Sequence, residues 1–184
     1  SAKIEAGVRD PLQDIDINMP LCIREPDSVS TAEQLIERAK GYQEMGVGAI
    51  HFDVKEGAGL ERLNILGEDN TQLYNPELIG KLVVSGIRLP IEAHLMCWAP
   101  SDEYLESLVR SGASAVYIHH NAYEDEKGLI RALKLMKSIA RRPFKCGIVL
   151  SVQHDVSALS DDMLQAADEV LLTAVDEGKK GGEF

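Results

Sequence analysis

Short β-branched segments alternate with amphipathic segments along this chain, and this alternation most constrains how it can fold. Apolar residues of the amphipathic segments recur at helical spacing, so one face of each helix is expected to cover a sheet. Strands that alternate with helices form parallel sheets from β-α-β units, so the sequence predicts an α/β fold. We place the strands near residues Ile15 to Ile23, Ala49 to Val54, Pro90 to Met96, Ala115 to His119, Lys145 to Leu150 and Glu169 to Val175.

The helices have start and stop signals in the sequence. Ser30 with Glu33 forms a candidate capping box, in which each side chain accepts a hydrogen bond from the other residue's backbone N–H. Ser101 is expected to cap a second helix, and Gly112 to end it, because glycine readily adopts the left-handed conformation that terminates helices. These signals support the helical assignment of the segments between strands.

The composition predicts one domain. The chain has 184 residues, 45% of them hydrophobic and 27% charged, which is ordinary for a domain with its own core. One unit, a helix end followed by a strand, occurs twice, at residues 45–51 and 111–117. The sequence contains no low-complexity segment or interdomain linker. We therefore expect residues 1–184 to form a single domain.

Charge and hydropathy exclude some classes of partner. The formal net charge is −11 and the pI is near 4.9, whereas nucleic acids and anionic membranes are bound by clustered lysine and arginine. No apolar run is long enough to span a bilayer, and the N-terminus lacks a signal-peptide pattern. We expect a cytoplasmic protein that binds neither nucleic acid nor membrane.

The cysteines do not indicate a disulfide framework or a zinc knuckle. Cys22, Cys97 and Cys146 are odd in number, far apart and without a C-x-x-C pair. Reduced thiols are the expected state.

A candidate metal site comes from two of the predicted strands. His51 and Asp53 stand at i and i+2, so on a strand their side chains project from the same face. His94 lies on the next predicted strand. Two imidazoles and a carboxylate are the ligand set of a catalytic divalent metal that keeps one position open for substrate.

The positions of the histidines support a site at one edge of the sheet. In parallel α/β folds ligands bind at the C-terminal ends of the strands. For His120 and His154 singly, a satisfied structural role is the plainer interpretation. All five histidines fall in strand ends or in the loops that follow: His51, His94, His119, His120 and His154.

These residues resemble a known family. Residues 51–57 (HFDVKEG) resemble the H-x-D-x-M-D-G strand of the ribulose-phosphate 3-epimerases, and residues 94–96 match their H-L-M strand. His119 falls where the family has a histidine after its fourth strand. Residues 147–150 resemble its G-x-x-L strand, and residues 168–184 its sixth strand and glycine-rich loop. The motifs occur in the same order, and the resemblance runs from near Ile15 to the last residue.

The resemblance implies a (β/α)8 TIM barrel that inverts the carbon next to the carbonyl of a phosphorylated ketose such as ribulose 5-phosphate. It implies a divalent metal (zinc, iron, manganese or cobalt) held by His51, Asp53 and His94, which stabilises the enediolate oxygens. Asp53 would also be the catalytic base on one face of the substrate. The residues expected to contact the substrate are Met96, His119, Gly178, Gly181 and Gly182.

The chain departs from the family pattern at several positions. It stops at Phe184, just after the sixth predicted strand, so about six of the eight β/α units are expected, without the seventh-strand aspartate that supplies the second catalytic group. Lys55 and Glu56 replace a methionine and an aspartate, and Pro20 and Ile23 stand where the first strand usually has serines. Six strands leave two open edges, so we expect the gap to be filled by further C-terminal residues, by a partner chain, or by a second copy in a homo-oligomer.

Two alternatives to the epimerase remain open. One is a non-catalytic barrel that binds a sugar phosphate or has a regulatory role. The other is a lyase, because Asp53 and Lys55 resemble the D-x-K core of the orotidine-phosphate decarboxylase and hexulose-phosphate synthase group; Ala58 leaves the longer D-x-K-x-x-D pattern unfinished. The long polar connection from Lys55 to Tyr74 is expected to be a lid over the metal site.

Overall fold

The computed structural model describes residues 31–55 and 75–173, together with the backbone of residues 22–24. Strands and helices alternate through these ranges. The strands are β1 (Cys22–Arg24), β2 (Ala49–Lys55), β3 (Ile91–Met96), β4 (Ala115–His119), β5 (Lys145–Ser151) and β6 (Glu169–Thr173). The helices are α1 (Ala32–Glu44), α2 (Pro76–Val84), α3 (Asp102–Ser111), α4 (Glu126–Ile139) and α5 (Asp161–Ala166), with a 3₁₀ turn at Val156–Ala158.

The strands form one parallel sheet in chain order, β1-β2-β3-β4-β5-β6. Each strand pairs with the next, so every connecting helix crosses over the same face of the sheet. Consecutive parallel strands with helices on one face are the arrangement of the (β/α)8 TIM barrel. The structure confirms the predicted α/β barrel fold, and six of its strands lie within the described residues.

Within the described residues, the predicted strand ends agree with the observed ones to within one residue. The strands β2 to β5 match to within one residue at each end. The first prediction began at Ile15, which lies outside the described residues, as do the last two residues of the sixth. The lid segment 56–74 lies outside them too.

Side-chain caps explain where the helices begin. Each helix follows a residue whose side-chain oxygen accepts the backbone N–H three positions later, which satisfies one of the free donors of the first turn. The Ser101 cap and the end at Gly112 are confirmed. The prediction of Ser30 as the first cap is wrong, because Thr31 accepts from Gln34 N and the helix starts one residue later. The caps are Thr31, Asn75, Ser101, Asp125 and Ser160.

Glycines make the tight turns from helix to strand. The two turns that the sequence suggested contain Gly46 (φ 76°) and Gly112 (φ 122°), and a third contains Gly86 (φ 89°). At Gly112 a Cβ would also come within 2.6 Å of Val83 and Arg142, so the chain needs glycine there for space as well as conformation. Within the described residues, this helix-to-strand turn with a glycine of positive φ therefore occurs three times.

Successive side chains of each strand point to opposite faces of the sheet, which separates two apolar regions. One face of the sheet packs on the helices and forms the main core, with fully buried residues such as Phe52, Leu95 and Ile118. The other face lines the barrel interior, where Ala115, Tyr117 and Val149 form a small cluster with Leu171 against it. The interior face also carries the polar residues described next.

Two further observations bear on the sequence predictions. Cys97 and Cys146 are buried free thiols, and burial raises the pKa of Cys146 to about 12. Among the described residues, none of the helices combines the length and the apolar character that crossing a membrane requires.

Candidate metal centre

Two cross-strand pairs of residues build the site. In the parallel pairing of β2 with β3, His51 lies opposite Glu92 and Asp53 lies opposite His94. Because side chains two residues apart share a face, all four project from one side of the sheet. This is the side opposite the helices, since the residues between them, such as Phe52, are buried in the main core.

The three predicted ligands converge. His94 Nδ1 lies 3.1 Å from Asp53 Oδ1, and His51 Nε2 lies 3.8 Å from the same oxygen. One donor atom from each side chain can be chosen so that all of them lie within 4.8 Å of one another. Two imidazole nitrogens and a carboxylate oxygen at this separation fit a small divalent cation, because such ions accept this mixed donor set.

The site is largely shielded from water. His94 is 3% exposed, and the side chains of Asp53 and His51 are 13% and 14% exposed. Burial lowers the pKa of His94 to about 4, because it penalises the charged ring; the hydrogen bond with Asp53 raises the pKa, and nearby His119 lowers it. At neutral pH His94 is therefore an uncharged ring, the form that binds metals.

Both histidines have a second polar partner on the nitrogen that faces away from Asp53. His51 Nδ1 lies 3.1 Å from Glu92 Oε2. His94 Nε2 lies 2.8 Å from His119 Nε2, and the two rings stack with centroids 4.9 Å apart. His119, itself 1% exposed at the end of β4, thus lies against a predicted ligand.

Tyr117 lies inside the barrel beside the site. Its ring centroid is 6.0 Å from that of His51, and its hydroxyl donates to Glu169 Oε2 over 2.7 Å. Glu169 also pairs with Lys145. The tyrosine ring covers Gly147, whose missing Cβ would come within 2.3 Å of Tyr117 Cδ1. Gly147 therefore leaves the space that this ring occupies.

The other predicted site residues lie outside the cluster of three ligands or outside the described residues. Met96 is 5% exposed and belongs to the main apolar cluster, two residues after His94 on the same strand. Outside the metal cluster, the rings of His120 and His154 meet edge to face with centroids 4.4 Å apart. Gly178, Gly181 and Gly182 lie outside the described residues.

Sequence reasoning missed two neighbours of the site, Glu92 and Tyr117. Glu92 had a usable signal, because it stands two residues before His94 and so shares its face, as His51 does with Asp53. Tyr117 had none, because its contact with His51 depends on a strand that is not a neighbour of β2.

Comparisons with known proteins identify sequences that this chain is similar to. The sequence model described as "Ribulose-phosphate 3 epimerase family" matches residues 27–184. A ribulose-phosphate 3-epimerase of Chlamydia pneumoniae is 30% identical over 149 residues, covering 79% of this chain and 56% of that protein. The enzyme of the same name from Chlamydia muridarum is 25% identical, covering 80% of this chain and 57% of its own length. The chain thus spans little more than half the length of these curated relatives.

Solved structures show the same fold. A deoxyribose phosphate aldolase from Aeropyrum pernix superposes with a TM-score of 0.51 at 13% identity, covering 82% of this chain and 60% of that one. Methylornithine synthase superposes with a TM-score of 0.50 at 15% identity, covering 77% and 44%. At such low identity this likeness concerns the fold alone.

Proposed function

Because this chain belongs to the ribulose-phosphate 3-epimerase family, we propose that it provides the metal site and first catalytic base of an epimerase that acts on a phosphorylated ketose. The observation that supports this most directly is the convergence of His51, Asp53 and His94 on one face of β2 and β3. The proposed substrate class is a small sugar phosphate such as ribulose 5-phosphate.

Asp53 is the proposed base. Its carboxylate lies in a site with little water, next to an uncharged His94, and one of its oxygens is close to both ligand histidines. In the proposed reaction Asp53 takes the proton from the carbon next to the carbonyl, which leaves an enediolate and a neutral carboxylic acid. A second group then returns a proton on the opposite face, which inverts the carbon.

His51, Asp53 and His94 are the proposed ligands of a divalent cation, either zinc, iron, manganese or cobalt. When bound, such a cation acts as a Lewis acid that lowers the energy of the enediolate oxygens. The barrel contributes shielding, because the buried histidines and the interior cluster around Tyr117 keep water away from Asp53. His119 and Met96 are proposed substrate neighbours, together with the glycines at 178, 181 and 182.

The alternative is a barrel that binds a sugar phosphate or regulates without catalysis. The lyase alternative has one supporting observation, since Lys55 follows Asp53 by two residues on β2 and therefore shares its face. The homo-oligomer, the cytoplasmic location and the single domain stay predictions.

Proton exchange tests the proposal. The protein is loaded with zinc or manganese, incubated with ribulose 5-phosphate in heavy water, and deuterium at C3 is followed by proton NMR. Exchange above that of the metal ion alone supports the epimerase, since it needs only the first step. Saturable binding of the sugar phosphate without exchange supports the non-catalytic barrel instead. Release of formaldehyde from a hexulose phosphate would favour the lyase.

A further inference from the structure

We propose that Glu92 and His119 are positioning residues for the two metal-site histidines: Glu92 sets which ring nitrogen of His51 carries the hydrogen, and His119 gives the far nitrogen of His94 a partner in either tautomer. This inference rests on the proposed function, because it concerns the same site. It uses different contacts, however, namely those of the histidine nitrogens that face away from Asp53.

Glu92 fixes His51. An ionised carboxylate can only accept hydrogen bonds, so the 3.1 Å contact with Glu92 Oε2 places the ring hydrogen of His51 on Nδ1. The lone pair of the neutral ring is then on Nε2, the atom that lies 3.8 Å from Asp53 Oδ1. Neither side chain is free in water, since Glu92 is 18% exposed and His51 14%. This contact therefore presents the ligand nitrogen in the form that binds a cation.

His119 is the partner of the far ring nitrogen of His94, and it does not select one tautomer. Two neutral imidazole nitrogens 2.8 Å apart need one hydrogen between them, so one ring donates and the other accepts. In the metal-free site Asp53 accepts from His94 Nδ1, and His94 Nε2 then accepts from His119. If Nδ1 gives up its hydrogen, His94 carries it on Nε2 and donates to His119. His119 can partner either tautomer.

Burial makes this second role necessary. His94 is 3% exposed and His119 is 1% exposed, so water cannot replace a lost ring partner. A buried ring nitrogen without a partner loses its hydrogen bonds to water and gains none in return, which is unfavourable. An ordinary polar residue that only donates, such as lysine, would hold one tautomer and oppose the other. A histidine at position 119 avoids that conflict.

A purely structural reading of these contacts makes a different prediction. If Glu92 only stabilised the sheet, its loss would lower the melting temperature and leave the tautomer of His51 unchanged. A carboxylate or carbonyl partner on the far nitrogen of a metal-binding histidine typically changes metal affinity about 10- to 100-fold. Tautomer and affinity together therefore separate the two readings.

The test uses the chain with ¹⁵N-labelled histidine and Zn²⁺ as the probe. Long-range ¹H–¹⁵N spectra of the metal-free protein give each ring's tautomer, and calorimetry gives the Kd for Zn²⁺. In the wild type we expect His51 with its hydrogen on Nδ1. Glu92→Leu should give a mixture of tautomers and a Kd weakened about 10- to 100-fold. Glu92→Gln keeps an acceptor oxygen and should recover part of the affinity. His119→Leu should weaken Zn²⁺ binding over a similar range.

Glu169→Gln is the matched control. Glu169 is also a carboxylate of the barrel interior, but it contacts Tyr117 and Lys145, so its variant should keep the wild-type Kd. If Glu92→Leu and His119→Leu both bind Zn²⁺ with the wild-type Kd, the inference is overturned, whereas the proposed metal site is not. A wild type that binds no Zn²⁺ would instead overturn the proposed function. If the leucine variants do not fold, a wild-type His51 with its hydrogen on Nε2 still overturns the inference.

Discussion

The Nδ1 atom of His94 lies 3.1 Å from Oδ1 of Asp53, and the two residues are direct partners in the pairing of β2 with β3. The sequence separates them by 41 positions. Their contact gives the candidate site a carboxylate and a neutral imidazole that share one buried location.

Replacing His94 by alanine should remove most bound metal. His94 is one of three converging donors, so its loss should lower zinc content after equilibration by an order of magnitude or more. The measurement is metal analysis of the dialysed protein. His154→Ala is the control, because His154 is an exposed histidine outside the cluster. Unchanged metal content in His94→Ala would mean that the cation binds elsewhere.

Replacing Asp53 by asparagine should abolish proton exchange at C3 of ribulose 5-phosphate. The amide keeps the shape of the carboxylate but cannot take up the proton, and loss of a general base slows exchange about 10²- to 10⁴-fold. Deuterium incorporation measured by NMR gives the rate. Asp162→Asn, an exposed position on α5, should exchange like the wild type. Full exchange by Asp53→Asn would show that another group is the base.

The metal-free protein should lose stability as the pH falls from about 6.5 to about 4. The pKa of His94 is about 4 in the folded state because of burial, against 6.5 for the free side chain, so the unfolded chain binds its proton first. The contribution of neutral His94 to the free energy of unfolding is fully present above pH 6.5 and is lost as the pH falls toward 4. Between pH 6.5 and pH 4 the free energy of unfolding should therefore fall by on the order of 3 kcal/mol.

Urea unfolding at several pH values in the presence of a chelator measures this dependence. His94→Gln cannot titrate, so its free energy of unfolding should fall less steeply between pH 6.5 and 4 than that of the wild type. If the free energies of unfolding of the two proteins fall equally steeply with pH, His94 is not a buried neutral ring.

Gly147→Ala should destabilise the protein through Tyr117. The added methyl would come within 2.3 Å of Tyr117 Cδ1 and 3.2 Å of the backbone oxygen of Glu169. The tyrosine ring is held in place by the hydrogen bond from its hydroxyl to Glu169 Oε2. Overpacking of this kind costs about 1–3 kcal/mol. Gly41→Ala in α1 is the matched control, since nothing lies within 4 Å, and it should raise stability by up to about 1 kcal/mol. Equal stabilities for the two variants would mean that Tyr117 does not fill this space.

Ala99→Gly should stabilise the loop after β3. Ala99 has φ 46°, a left-handed conformation that costs a residue with a Cβ about 1–2 kcal/mol. Glycine removes that cost, so thermal or urea unfolding should show a gain of about 1 kcal/mol. The exposed Ala158 lacks a positive φ, and Ala158→Gly should lose about 0.4–1 kcal/mol. A loss in both variants would refute the strain at Ala99.

The sequence by itself determined the order of the elements and the parts of the site that lie on a single strand. Alternating periodicity marks strands and helices directly, and the spacing of His51 and Asp53 places both on one face of any strand. Helix caps such as Ser101 are also local, because the capping contact spans three residues. Even so, the neighbouring pair Ser30 and Thr31 could not be separated, because either hydroxyl suits a cap and backbone geometry decides between them.

Only the tertiary structure decided which side chains meet across strands. The register of β2 with β3 brings Glu92 to His51 and Asp53 to His94, and a shift by one residue would turn each set to the opposite face. The contact of His119 with His94 and the packing of Tyr117 on Gly147 depend likewise on how neighbouring strands are aligned. Register and barrel curvature depend on the packing of the entire sheet on its helices, so no local pattern encodes them.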